Sequence, residues 1–216
     1  MSDRGTALGH TRGMSQPDPA AIRAAWLVSL QSVVWTLVSG CGAIALGVAG
    51  GSAVLAAFGA VGLVDAVGSM ALVHHYRHGL RHGELADHLE RLAHRIVVVG
   101  LVLVGAGTIV VGSIRLAGDG TTESSPVGIA LAAASLFVLV VLSRRKLRLA
   151  ANVSSPALRS DGQLSAVGAT QAAIALAGVA TTTFGWRWAD PAAATVVGAV
   201  AVVVGARTWR ADLRAP

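Results

Sequence analysis

The sequence predicts an all-α membrane protein of six transmembrane helices with both termini in the cytoplasm. Three observations predict it. Of 216 residues, 54% are hydrophobic and 13% charged, whereas an ordinary soluble domain is about a quarter charged; mean hydropathy is +0.66. The apolar residues fall into six runs, and ~20 such residues cross the hydrocarbon core of a bilayer. The basic residues gather between those runs, mostly on one side, as the positive-inside rule requires of cytoplasmic segments.

Residues 1–23 are polar and contain Gly, Ser and Pro, so they read as a disordered cytoplasmic tail with no signal peptide. The transmembrane domain covers residues 24–209. Its first span, 24–49, begins near Trp26 and stops at Gly50-Gly51; the second runs 52–75 and the third 92–116. A polar, turn-rich loop follows, Ala117 to Ser125. The fourth span, 127–143, opens after Pro126, the fifth, 157–184, after Pro156, and the sixth, 192–209, after Pro191. Proline suits a first helical turn, where its missing N–H would have no partner anyway. The runs are too long for strands and read as helices. Residues 210–216 form a short cytoplasmic tail.

Charge sets the orientation. Arg77, Arg81, Arg91 and Arg95 flank the second loop, and Arg144, Arg145, Lys146 and Arg148 are assigned to the fourth. The tails add Arg4, Arg12, Arg23, Arg207, Arg210 and Arg214, and Arg159 lies at the inner mouth of the fifth span, leaving only Arg115 and Arg187 on the other side. Trp26 and Trp209 fall at the inner interface, Trp186 and Trp188 at the outer, where amphipathic rings concentrate. The excess of 17 basic over 11 acidic residues therefore marks a membrane face and not a nucleic-acid footprint. A single cysteine, Cys41, excludes an intrachain disulfide and a thiolate metal cluster. The sequence shows no nucleophile triad, phosphate loop or dinucleotide fingerprint, so no enzyme is expected. The arginine bias, 16 against the lone Lys146, suggests a GC-rich bacterial genome and a place in the plasma membrane.

Of the 11 acidic residues, only Asp65 and Asp161 lie within spans. A charge at mid-bilayer costs about 2.5–3.5 kcal/mol on insertion scales, so such residues usually face a cavity or a partner. Carboxylates on two helices suit a divalent cation or a proton carrier. The structural alternative is a pair of Asp residues satisfied by Ser, Gln or backbone N–H groups, with Asp161 as a helix cap.

The second span opens Gly51-Ser52-Ala53-Val54-Leu55 and reaches Leu63-Val64-Asp65; the fifth opens Ala157-Leu158-Arg159-Ser160-Asp161. The outer turn reads Gly185-Trp186-Arg187-Trp188-Ala189-Asp190-Pro191, and the second loop His78-Gly79-Leu80-Arg81-His82-Gly83. In this order and on these spans, over residues 26 to 209, the four stretches resemble the cation diffusion facilitators, six-span metal exporters. The Ala157-to-Gly162 stretch is more similar to a divergent branch that includes a vertebrate synaptic-vesicle zinc-efflux protein. The resemblance implies export of a divalent cation, zinc first among candidates, in exchange for protons, by a homodimer in the lipid bilayer. It also implies a metal site at Asp65 and Asp161, with no cofactor beyond the cargo.

The family's site takes two ligands from each helix at i, i+4 spacing, which puts both on one face. Here the first position of each pair is apolar, Val61 and Ala157, so a closed four-ligand zinc site cannot be built from these positions. The chain also stops at Pro216, before the family's cytoplasmic metal-binding domain. These departures raise an alternative: a transport-inactive scaffold or partner subunit. Six histidines lie between residues 74 and 94, and His74, His78 and His82 share one face if the second helix continues inward. His78 and His82 are candidate secondary metal ligands at the cytoplasmic mouth, against the alternative of a solvated loop that titrates near neutral pH. Ser69, Gln163, Ser165 and Gln171 could complete an oxygen shell or serve as packing contacts between helices.

Overall fold

The computed structural model describes residues 19–82, 87–118, 125–152 and 155–212. They form six helices: α1 (Pro19–Ala49), α2 (Ala53–His82), α3 (Asp87–Ala117), α4 (Pro126–Asn152), α5 (Pro156–Thr182) and α6 (Ala189–Asp212). All six are long and apolar enough to cross a membrane. No strand occurs among the described residues.

Most helices outrun their apolar stretches. α2 continues past His75 to His82, α3 starts at Asp87 and not Leu92, and α4 extends nine residues beyond Ser143 to Asn152. Hydropathy marks the part of a helix that meets lipid, and a helix needs no apolar residues once it leaves the bilayer. At 1.5 Å per residue, the 27 residues of α4 span ~40 Å, longer than the ~30 Å hydrocarbon core. Lys146, assigned to a loop by sequence, consequently lies inside α4.

Local chemistry fixes the helix ends. Ser52 Oγ accepts from Leu55 N at 3.2 Å, Ser125 Oγ from Gly128 N at 3.0 Å, and Ser155 Oγ from Leu158 N at 3.2 Å. Each serine thereby satisfies an N–H that the first helical turn leaves without a partner. Gly51, at φ 66°, makes the tight α1–α2 turn in a conformation that side-chain-bearing residues rarely adopt.

The helices pack as three close pairs, α1 with α2, α4 with α5, and α3 with α6, and α2 also contacts α3, α5 and α6. Glycines permit the closest approaches. A Cβ on Gly59 would lie 2.5 Å from the Gly40 carbonyl oxygen, and Cβ atoms on Gly105 or Gly198 would each lie 2.7 Å from the other's carbonyl. Val54, Leu55, Phe58 and Val61 of α2 meet Ala172, Ala175 and Val179 of α5 and Val197 of α6 in the core. Leu103, Val110, Ile114, Val127 and Phe137 face outward and exposed. An apolar exterior of this kind suits lipid and would be a liability in water.

Candidate metal centre

Two polar layers interrupt the apolar interior. The first lies toward the end that carries the α2–α3 and α4–α5 connections. Ser143 Oγ donates to the Gly162 carbonyl at 2.8 Å, and a Cβ on Gly162 would meet that of Lys146 at 3.1 Å. The glycine brings α4 against α5 and seats Lys146 beside Asp161. Lys146 is fully buried, with Nζ 2.6 Å from Asp161 Oδ2. Its ammonium also donates to Ser32 Oγ at 2.7 Å and Ser165 Oγ at 3.0 Å. Ser69 Oγ lies 3.4 Å from the same nitrogen, so four oxygens surround an ammonium that has three donors. Ser69 Oγ donates to Asp161 Oδ1 at 2.8 Å. One compact knot of polar groups therefore joins α1, α2, α4 and α5.

The second layer begins one helical turn away. Asp65, four residues before Ser69 and on the same face of α2, borders a cavity of about 30 Å³ together with Thr36, Ser39 and Gln171. That volume holds one or two waters. Val61, Leu101, Leu139 and Leu164 supply its apolar walls. Asp65 is half-buried, and its Oδ1 is buried without a hydrogen-bond partner among the described residues. Lys146 and Asp161 both lie within electrostatic reach of it. Asp161 and Asp65 thus belong to neighbouring layers, one paired with an ammonium and one bordering a cavity.

The other candidates separate from this centre. His78 stands 13 residues from Asp65 along α2, ~20 Å at the helical rise. α2 does continue through His74, His78 and His82, so the three positions share one helix face. The side chains of His82 and Ala157 lie outside the described residues. Ser69, Ser165 and Gln171 join the two layers, whereas Gln163 is exposed. Among the described residues no group of three or more His, Cys, Asp or Glu could hold a metal ion.

Sequence reasoning missed three groups. Lys146 was hidden by its neighbours Arg144, Arg145 and Arg148, although its being the only lysine set it apart. Ser29, Ser32, Thr36 and Ser39 form a buried stripe on α1, detectable from their i, i+3, i+7, i+10 spacing in an apolar helix. Asp190, assigned to the outer interface, is fully buried. Its Oδ1 accepts from Ser52 Oγ at 2.5 Å, and its Oδ2 from Ala53 N at 2.8 Å and Val54 N at 3.4 Å. α6 thereby caps α2 at the end opposite the Lys146 knot. Arg115, at the end of α3, donates to the Gly51 carbonyl beside this cap. The Gly51-Ser52 and Asp190-Pro191 stretches, far apart in sequence, are two halves of one contact.

A bundle of six membrane-length helices with carboxylates at its centre defines an integral membrane transport domain. The family model described as the cation efflux transmembrane domain matches residues 29–215. The chain belongs to the cation efflux family and is a multi-pass membrane protein of metal-cation export. No curated protein matches it significantly.

Proposed function

We propose that the protein exports a divalent metal ion, zinc first among the candidates, in exchange for protons, with Asp65 and Asp161 as the cargo's ligands between α2 and α5. Asp65 carries this reading: it has a carboxyl oxygen with no hydrogen-bond partner among the described residues and borders a cavity large enough for a partly dehydrated ion. Ser69 lies between the two acids and can add a neutral oxygen. The few polar side chains on the cavity's apolar wall offer oxygen ligands, apart from the Gln171 amide nitrogen, which already donates to the Val197 carbonyl at 3.5 Å. Such a set also suits manganese or cobalt, so a panel of ions belongs in the test. Carboxylates on two membrane helices suit a proton carrier as well as a divalent cation, and this double fit supports exchange of one for the other.

The reading places both termini in the cytoplasm of a bacterial plasma membrane and the working unit as a homodimer. It involves no covalent chemistry and no cofactor. The apolar Val61 and Ala157 support assignment to the divergent branch named above. Metal uptake into inverted vesicles containing the purified chain tests the proposal. Uptake is expected in wild type and lost in Asp65→Ala and Asp161→Ala; unchanged uptake in both variants would sink it.

One observation favours a second reading. The Lys146–Asp161 ion pair engages one of the two acids, as in a transport-inactive scaffold. Calorimetry in detergent separates the two: no binding at micromolar metal supports the scaffold, and binding lost in Asp65→Asn supports the exporter.

A further inference from the structure

The cation nearest Asp161 is the protein's own. We propose that the Lys146 ammonium is a tethered counter-cation, held on Asp161 in the place a transported ion would take, and that loading of a divalent ion requires it to withdraw. The inference rests on the metal-export reading and adds to it a residue that sets affinity for the cargo.

Four observations carry it. The ammonium lies 2.6 Å from Asp161 Oδ2, and its remaining hydrogen bonds go to neutral serine hydroxyls. A metal bound to a carboxylate sits about 2.0–2.2 Å from the oxygen, so ammonium and metal compete for the same approach. Charge gives the second argument. Asp65 and Asp161 with Lys146 sum formally to −1, and a divalent ion would bring the buried group to +1, an uncompensated charge that a low-dielectric interior resists. With Lys146 withdrawn, the ion and the two carboxylates balance.

Third, the side chain has somewhere to go. α4 continues only six residues past Lys146 to Asn152, ~9 Å at the helical rise, toward the end rich in arginine. A lysine stem of four methylenes can reach toward that interface and keep its charge in water. Fourth, Asp65 stands one turn of α2 from Ser69 with a carboxyl oxygen that has no donor among the described residues. A metal held in the cavity by this acid would compete with the ammonium for Asp161.

Because Lys146 is the only lysine, the chain labelled with 15N-lysine gives a single side-chain ammonium resonance. In lipid nanodiscs, zinc titration is expected to move that resonance, and the Asp161→Asn chain is expected to show no such movement. Calorimetry of Lys146→Met should give zinc affinity at least tenfold above wild type, because the competitor is gone; a purely structural lysine would not raise it. A resonance unmoved at zinc saturation, or a folded Lys146→Met that binds no tighter than wild type, overturns the inference. Should Lys146→Met fail to fold, the wild-type resonance alone decides. If neither chain binds zinc, manganese or cobalt, the export reading falls and takes this one with it. If wild type binds through Asp65 while the ammonium stays still, only the counter-cation role falls.

Discussion

Neutralising Asp161 should cost far more stability than neutralising the whole ion pair. Asn at position 161 can still accept from Ser69, but it leaves the Lys146 ammonium buried among neutral groups without its paired carboxylate. Lys146 is 0% exposed and Asp161 4%, so solvent offers little relief. Breaking a buried pair at one partner typically costs about 3–5 kcal/mol, whereas replacing both partners by groups of similar size is often close to neutral. We expect Asp161→Asn to lose about 3 kcal/mol or more, and the double variant Lys146→Met with Asp161→Asn to recover most of it. At ~1.4 kcal/mol per decade, 3 kcal/mol is roughly a hundredfold in the folding equilibrium. Titration of mixed micelles with a denaturing detergent, followed by the fluorescence of the five tryptophans, measures it. A loss below about 1 kcal/mol in Asp161→Asn, or a double variant whose loss equals the sum of the singles, would refute the argument that the charges depend on each other.

Other expectations concern different layers of the bundle. Asp190→Ala removes the acceptor for Ser52 and for the first N–H groups of α2; a loss of about 2 kcal/mol is expected from the capping range, with faster amide exchange at residues 53–55. Gly198→Ala would set a methyl 2.7 Å from the Gly105 carbonyl and should cost about 1–3 kcal/mol through overpacking. Gly107→Ala, which meets nothing within 4 Å, should leave thermal stability unchanged or slightly raised. Val61 lines the Asp65 cavity one turn before the acid; Val61→His should tighten zinc binding at least tenfold by calorimetry, and an unchanged affinity would mean the cavity does not receive the ion.

The fold was legible because the bilayer imposes it. Six apolar runs with prolines only at their edges leave little choice of structure, since every backbone group must find its partner within the span. The helix ends were less legible, because beyond the bilayer hydropathy carries no information about where a helix stops. That single gap hid Lys146: a basic residue three positions past the last span residue reads as a loop, unless the helix is known to continue. Asp65 and Asp161 were legible as anomalies of cost. The serine and threonine stripe of α1 was harder to see, because a hydroxyl can bond to the carbonyl of its own helix and so raises no alarm. Thr36 does so, donating to Ser32 O at 2.7 Å.

The placement of the polar contacts bears on how such a bundle could move. α2 is held at one end by α6, through Asp190 on the Ser52 cap. At the other it is held by α5, through Ser69 on Asp161 and Tyr76 Oη within 2.9 Å of Ser155 Oγ. Between the two holds lie Asp65 and its cavity. A helix fixed at both ends by hydrogen bonds, with alanine, glycine and valine between, can open toward either side only by releasing one hold while keeping the other. The hold beside the carboxylates includes an ammonium whose charge is matched to Asp161, so a competing cation acts directly on that one. The hold at the far end is an intrinsic helix cap that no cation need disturb. That asymmetry makes the Lys146 end the responsive one, and it predicts that metal should change amide exchange at residues 155–165 before it changes that at residues 52–55.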